Sequence, residues 1–507
     1  MSGAARLLWS AMAFEPTLDS LNAHAVPQWF EDAKFGIFIH WGLFSIPAFA
    51  AKSGSIAEAF RNNYDIAVAQ TPYCEWYWNA IKVPESDSAK FHAATYNNAP
   101  YENFRAGFLE GLERWNPADW ADAFADAGAR YVVLVTKHHD GFCLWPSAVT
   151  NPHQKDWTSP RDIVGELANA VRAKGLKFGV YYSGGIDWTF NREPLRTLAD
   201  FMGSTPGGDY PAYADAQTRE LIDCYQPSIL WNDISWPAPL DDELKLFADY
   251  YNAVPDSVVN DRWLPMTPER EGLRDPAVRR GIDAMLKERM AKESTKGIIP
   301  QLPPHCDFRT PEYAAFDKIS QKKWEATRGM SHSFGFNRND TEADYESVES
   351  LVTSFIDAVA KNGNLLLNVG PRADGRIPDA ARDTLLAVGA WLKTNGEAIY
   401  GTRPWTVFGE GPTETADGTF AESRAKPYTS RDFRFTTKPG LLYAIQLAAA
   451  EDGRALITAI RPDNLVKRVG LLGTDAPVRF EQSRAGLALT LPANAPRQPA
   501  NVYRIEI

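Results

Sequence analysis

The chain has 507 residues, more than one compact core usually holds, so two or three domains are expected. Its hydrophobic share of 44% excludes a disordered composition, and its net charge of −11 disfavours a nucleic-acid or anionic-membrane partner. Cys74, Cys143, Cys224 and Cys306 are widely spread, with no C-x-x-C spacing, which argues against a cysteine metal site or a disulfide framework.

Residues 1–24 read as a lead-in. Arg6 precedes L-L-W-S-A-M-A-F, an apolar core too short for a signal peptide and without a small-residue cleavage site before Glu15, so a cytoplasmic protein is expected. No run approaches the roughly 18 apolar residues of a membrane span. The first strong strand is F-G-I-F-I-H-W-G, Phe35 to Gly42, which finishes on His40 and Trp41. Ala50 to Tyr73 reads as a long loop, followed by E-W-Y-W, Glu75 to Trp78. Asn116 and Pro117 open a helix that Gly128 stops, and the strand Y-V-V-L-V then leads into T-K-H-H-D-G-F, Thr136 to Phe142. Ser159 and Pro160 are expected to cap a helix with Ile163, Leu167 and Val171 on one face and Gly175 at its end.

Strand Lys177 to Ser183, helix Tyr213 to Tyr225 and strand Ser228 to Trp231 continue the alternation, the last delivering Asn232 and Asp233. Further strands are expected at Val258–Trp263, Ser333–Asn337 and Leu365–Pro371. Apolar strands alternating with helices mark a parallel sheet covered on both faces, and about seven of them suffice for a (β/α)8-like barrel, complete or irregular. A doubly wound open sheet is the runner-up, but no G-x-G-x-x-G or P-loop follows any strand, so nucleotide binding has no support. Near Trp405 the texture changes to short strands and turns. The expected organisation is therefore a lead-in at 1–24, a barrel at 25–404 and an all-β sandwich at 405–507.

Polar residues gather at the strand ends: His40, His138 with His139, Tyr181, Asp233, then Asn260 with Arg262. In a barrel of parallel strands those ends face one site. Any one of them has a plain structural reading, such as Asp233 capping the next turn, but a set at successive strand ends favours a site over a dry core. Metal-assisted hydrolysis by the histidines and Asp233 is one option; adjacent residues on an extended strand point to opposite sides, which disfavours His138 and His139 as joint ligands. Glycoside hydrolysis is the other: it needs paired carboxyl groups and polar donors for hydroxyls, and aromatic rings suit an apolar sugar face.

W-F-E-D-A-K-F-G-I-F-I-H-W-G (Trp29 to Gly42), E-W-Y (Glu75 to Tyr77), K-H-H-D-G-F (Lys137 to Phe142), G-V-Y-Y-S-G-G (Gly179 to Gly185), L-W-N-D (Leu230 to Asp233), N-D-R-W (Asn260 to Trp263) and N-G-N-L-L-L-N-V-G-P (Asn362 to Pro371) resemble motifs of the glycoside hydrolase family 29 α-L-fucosidases, in family order. The resemblance implies a catalytic barrel followed by a β-sandwich. It implies exo-hydrolysis of terminal α-L-fucosides on an oligosaccharide or glycoconjugate, with retained anomeric configuration; no cofactor or metal is expected, since no H-x-H or H-E-x-x-H motif is present. By the same resemblance Asp233 is the nucleophile. His40, Glu75, Trp76, His138, His139, Tyr181, Trp231 and Arg262 bind the fucose, and Phe334 packs near its methyl group. Core packing is the competing reading for each aromatic, above all for Trp231 inside its strand.

The acid/base departs from the family pattern. F-R-T-P-E-Y (Phe308 to Tyr313) places the matching glutamate at Glu312, beyond an insertion near Met266 to Gln301 that carries the rival acids Glu269, Glu271, Glu288 and Glu293. Val278, Ile282, Met285, Leu286 and Met290 recur at helical spacing, so the insertion reads as an amphipathic helix and a candidate homo-oligomer contact. A carbohydrate-binding barrel without catalysis is the alternative from another class; it would bind fucose without turnover. A metal-dependent hydrolase is the third reading, and its activity would be lost to a chelator.

Overall fold

The structure is a computed structural model that describes residues 13–54, 56–292, 301–312, 316–413, 427–492 and 495–507. Seven parallel strands form one sheet: β1 (Phe35–Ile39), β2 (Tyr131–Lys137), β3 (Lys177–Tyr182), β4 (Ile229–Asn232), β5 (Val258–Val259), β6 (Trp324–Arg328) and β7 (Gly363–Val369), in the order β5-β4-β3-β2-β1-β7-β6. Every residue of β1, β2, β4 and β7 is buried, as strands covered on both faces require.

The two edges of that sheet are joined by the extended segment 307–312. The Asp307 amide donates to the Val259 carbonyl (3.0 Å) on one side; on the other, the Glu325 amide donates to the Arg309 carbonyl (2.8 Å) and the Thr327 amide to the Pro311 carbonyl (3.2 Å). Parallel bridges pair Arg309 with Trp324 and Glu312 with Thr327. The segment serves as the eighth stave of a barrel whose interior holds Phe30, Phe38, Tyr131, Tyr181, Trp231 and Phe308. Helices pack outside it in a layer rich in Trp, Leu and Val.

Local chemistry sets the element boundaries. Asn116 caps the helix Pro117–Asp126, its side-chain oxygen accepting from the Ala118 amide at 3.2 Å. The next helix begins at Ile163, later than expected, because Asp162 immediately precedes the apolar face and accepts from the Gly165 amide at 2.9 Å. Ser159 instead bonds the Arg161 carbonyl within the preceding turn. Residues 50–73 are not a plain loop: they hold the helix Ile56–Asn62 and a 3-10 stretch, Tyr64–Gln70. Ser333–Asn337 is not a strand, and β5 is only two residues long. The strand preceding that loop is W-E-A-T-R, whose Glu325 and Thr327 break the apolar pattern although both are buried.

The insertion forms the short helix Pro268–Gly272 and the helix Pro276–Lys292. The latter reaches back to the loop after β1, where Tyr64 donates to Asp283 (2.9 Å) and Lys287 pairs with Asp65 (2.6 Å). Val278 and Met285 on this helix remain exposed.

From Arg403 the chain forms two antiparallel sheets, a five-stranded one (β12-β15-β10-β9-β8) and a three-stranded one (β11-β14-β13), spanning Arg403–Glu410 (β8), Phe433–Lys438 (β9), Leu441–Gln446 (β10), Arg454–Ile457 (β11), Arg468–Leu471 (β12), Arg479–Ser483 (β13), Gly486–Thr490 (β14) and Asn501–Glu506 (β15). Phe433, Phe435, Leu442, Ile457, Leu487 and Tyr503 share one core between them, as in a sandwich. This domain is tied to the barrel through Asp357, which pairs with both Lys361 and Arg434, and through Trp391, whose indole donates to the Ala500 carbonyl at 3.1 Å. Among the described residues no helix is long and apolar enough to cross a membrane.

Candidate active site

The C-terminal ends of the staves bring polar and aromatic side chains together around the buried ring of Trp231. Its ring lies against Tyr181 (centroids 5.5 Å apart) and Phe38 (5.2 Å), and its indole N–H donates to buried Glu325 at 3.2 Å. The Arg262 guanidinium sits over that ring at 4.7 Å. From there it grips both candidate carboxylates: Nη1 donates to Asp233 Oδ1 at 2.9 Å and Nη2 to Glu312 Oε1 at 2.6 Å. Thr310 steadies the fork, its hydroxyl accepting from Nε (3.1 Å) and its carbonyl from Nη2 (2.9 Å).

Asp233 lies one residue past β4, where the Tyr181 hydroxyl donates to Oδ2 and the Ile234 amide to Oδ1, both at 2.8 Å. Ile234 adopts φ 70°, a strained conformation for a β-branched residue, and this turns its amide onto the carboxylate. Burial opposes ionisation of Asp233, but Arg262, His139 and the Tyr181 hydroxyl outweigh it and hold the carboxyl below its ordinary range. Glu312 moves the other way: burial, reinforced by the Asp233 charge, outweighs Arg262 and raises it. One carboxyl is thus poised to stay ionised and its neighbour to carry a proton, the division of labour that acid/base chemistry on a pair requires.

Asn260 sets the register of these loops. Its side chain accepts from the Asn232 amide (2.9 Å) and donates to the Asn232 carbonyl (2.8 Å), locking the ends of β4 and β5 together.

His40 and His139 are fixed as neutral rings with defined tautomers. Ser183 donates its hydroxyl to the Ile186 carbonyl (2.6 Å), so at 2.6 Å from His139 Nδ1 it can only accept, and that nitrogen carries the proton. Asn368 donates its amide to the Phe334 carbonyl (2.5 Å), so its oxygen accepts from His40 Nδ1 at 2.6 Å. Both rings therefore keep Nε2 as an acceptor, suited to sugar hydroxyls. Burial lowers His40 to about 3 and His139 to about 4, so both rings are neutral at pH 7. His138 stacks parallel to Tyr181 (5.7 Å) and lies 4.0 Å from His139. The two histidines share one side because they lie beyond the end of β2, in a turn, so the strand alternation expected of them does not apply. Among the described residues no group of three or more His, Cys, Asp or Glu side chains is arranged to hold a metal ion.

Trp76 meets His139 edge-to-face at 4.9 Å, and Phe334 lies 5.0 Å from His40. Glu75 beside them is buried and accepts from the Gly335 amide at 2.9 Å; burial raises its carboxyl to about 7. All eleven residues singled out from the sequence therefore line one contiguous site. The rival acids Glu269, Glu271 and Glu288 are exposed, and Glu293 lies outside the described residues. Asn368, Ser183, Thr310 and Glu325 were not singled out. Asn368 had a signal, being a polar residue near the catalytic end of an apolar strand; Ser183 acts through a local turn, and Thr310 through the extended segment 307–312, neither of which spacing reveals.

A family profile described as Alpha-L-fucosidase matches residues 4–397. The chain is 30% identical over 489 residues to the tissue α-L-fucosidase of Bos taurus, covering 94% of this chain and 86% of that one. It is 32% identical over 498 residues to the plasma α-L-fucosidase of Homo sapiens, covering 95% and 89%. Among solved structures, the Thermotoga maritima α-fucosidase in complex with a mechanism-based inhibitor superposes with a TM-score of 0.77 at 38% identity, covering 97% of this chain and all of that one.

Proposed function

The chain belongs to the α-L-fucosidase family of glycoside hydrolases, and on that premise we propose that it is a retaining exo-enzyme that removes terminal α-L-fucosyl residues from glycans through a covalent intermediate. The barrel at 25–404 carries the chemistry and the sandwich at 405–507 supports it. Asp233 attacks the anomeric carbon while Glu312 protonates the departing glycosidic oxygen; Glu312 then takes a proton from the water that releases fucose. The single observation that carries this reading is the shared guanidinium of Arg262, with Asp233 lowered and Glu312 raised on either side of it.

Carboxylates held by adjacent nitrogens of one fork suit the retaining separation of roughly 5–5.5 Å better than the roughly 6.5–9.5 Å of inverting enzymes. Once Asp233 is esterified, Arg262 loses that partner's charge and Glu312 feels less like-charge repulsion, which eases its switch from acid to base. His40 and His139 accept hydrogen bonds from fucose hydroxyls, and Glu75, carrying its proton on much of the population near pH 7, donates one. Trp76, His138 and Phe334 wall the ring, and Tyr181 with Trp231 holds Asp233 and Arg262 in register.

The test is turnover of an aryl α-L-fucoside against the β-D-galactoside and α-L-arabinoside, with the first-formed fucose anomer followed by NMR. Initial α-L-fucose is expected; initial β-L-fucose would refute the retaining course.

A further inference from the structure

Beside the sugar site the catalytic face holds a concavity of about 240 Å³. It is bounded by Ser45 from the loop after β1, Phe336 and Arg338 from the loop after β6, Arg372 and Asp374 from the loop after β7, and Arg114. Each wall continues from a residue of the sugar site. Phe336 is two positions after Phe334, Arg372 four after Asn368, and Ser45 follows Phe44, whose ring lies 5.8 Å from His138.

Two of the three guanidinium groups are held in place. Arg338 donates to the Ile46 carbonyl at 2.9 Å, and Arg372 stacks over Phe336 at 4.5 Å on a loop pinned by the Trp41 indole (2.8 Å to the Arg372 carbonyl). The one acid in the lining, Asp374, is engaged with Arg376 at 2.7 Å, and among the described residues no carboxylate pairs with Arg114, Arg338 or Arg372. Three always-charged forks without counter-ions, around one hollow of a chain with net charge −11, make a local positive site against an otherwise repulsive background. Guanidinium presents paired donors that match planar or tetrahedral oxyanions. The volume falls below the roughly 300–1,000 Å³ of pockets that enclose a whole ligand, so it fits one substituent of a ligand anchored next door.

We propose that Arg114, Arg338 and Arg372 form a subsite for an anionic substituent, a sulfate ester or a carboxylate, on the glycan that carries the fucose. This inference rests on the α-L-fucosidase reading and names the substrate class it favours.

The experiment compares fucosylated oligosaccharides bearing one sulfate ester, or one sialyl carboxylate, with their neutral parents and with a neutral aryl α-L-fucoside. Wild-type enzyme at low ionic strength is expected to prefer at least one anionic substrate over its parent by roughly tenfold in kcat/KM, mainly through KM, as one charge-assisted contact provides. Added salt should erode the preference, and the arm that shows it identifies the anion. In an Arg338→Gln, Arg372→Gln double variant the anionic-to-neutral ratio should fall to about one; Arg114→Gln with Arg372→Gln serves if that variant misfolds. Equal kcat/KM for anionic and neutral substrates in the wild type, or a preference that survives either double substitution, overturns the subsite. Absence of turnover on the neutral aryl α-L-fucoside overturns the functional reading and this inference with it.

Discussion

Arg262→Met tests the centre of the site, because it keeps an apolar stem over Trp231 and removes every donor. Asp233 loses a bond of 2.9 Å and Glu312 one of 2.6 Å, leaving two largely buried carboxyls facing each other without a cation. Breaking a buried ion pair costs about 3–5 kcal/mol; the side chains here are 19%, 12% and 17% exposed, which relieves part of that. That cost falls on folding; for catalysis, removing one preorganised donor takes away about 3–4 kcal/mol of transition-state stabilisation, a fall of roughly 100- to 1,000-fold in kcat/KM. The pH profile carries the diagnostic sign. In the wild type Asp233 is held below its ordinary range, so activity is lost only when pH falls through that lowered value. Without Arg262 the carboxyl titrates higher, so the acid limb of kcat/KM on an aryl α-L-fucoside moves to higher pH. Arg262→Lys restores charge without the fork and should lie between the two. A lowered rate with an acid limb that has not moved would refute the electrostatic role.

Azide distinguishes the two carboxyls by stereochemistry: Asp233→Ala should give β-L-fucosyl azide by a single displacement, and Glu312→Ala the α-anomer by interception of the covalent intermediate; NMR showing the same anomer from both would contradict the assignment. Glu75 titrates near 7 against an ordinary 4.5, so the folded state binds a proton that the unfolded state has lost in that window, and stability falls as pH rises through it. Glu75→Gln removes this slope; variant stability relative to wild type, from denaturant unfolding, should improve by up to about 3 kcal/mol between pH 5 and pH 7.5, and a constant difference would contradict the burial argument. Gly370→Ala would place a methyl 2.5 Å from the Phe336 amide nitrogen and 2.6 Å from the Phe334 carbonyl, so the loop must shift; a loss of about 1–3 kcal/mol in stability and a raised KM are expected, and unchanged values for both would show that the loop adapts freely.

The sequence reveals this fold well where strands are uniformly apolar, as in Y-V-V-L-V, and where polar groups sit at their ends, as at His40 and Asp233. It conceals W-E-A-T-R, because a barrel interior with buried hydrogen-bond donors can hold a carboxyl: Glu325 accepts from Tyr131 (2.5 Å) and Trp231 (3.2 Å), and burial lifts it to about 7. It misplaces S-F-G-F-N as a strand since Phe334 is buried and Phe336 half-buried as the loop crosses beside the sugar site, through contacts of Phe334 with His40 and of Gly335 with Glu75. It misreads His138-His139 by assuming that the strand continues, when the chain has already turned. The nucleophile's environment is also hidden: no pattern announces that Ile234 is held at φ 70°.

The position of Glu312 shows why the insertion does not disturb the chemistry. Sequence distance from N-D-R-W is irrelevant to a stave whose register is set by pairing. Asp307 begins that stave at the far end of the barrel, where its carboxylate takes the Val259 amide (2.7 Å), the Tyr251 hydroxyl (2.8 Å) and His24 (2.9 Å). At about 3.3 Å per residue, the five steps from Asp307 to Glu312 cross the height of the barrel and end level with Asp233. The insertion enters before Asp307, so its length is absorbed outside the ladder. A slip of one residue within 307–312, by contrast, would turn Glu312 to the opposite face and leave Arg262 with a single carboxylate, which is why the polar anchor at Asp307 belongs to the catalytic arrangement although it lies at the opposite end of the barrel.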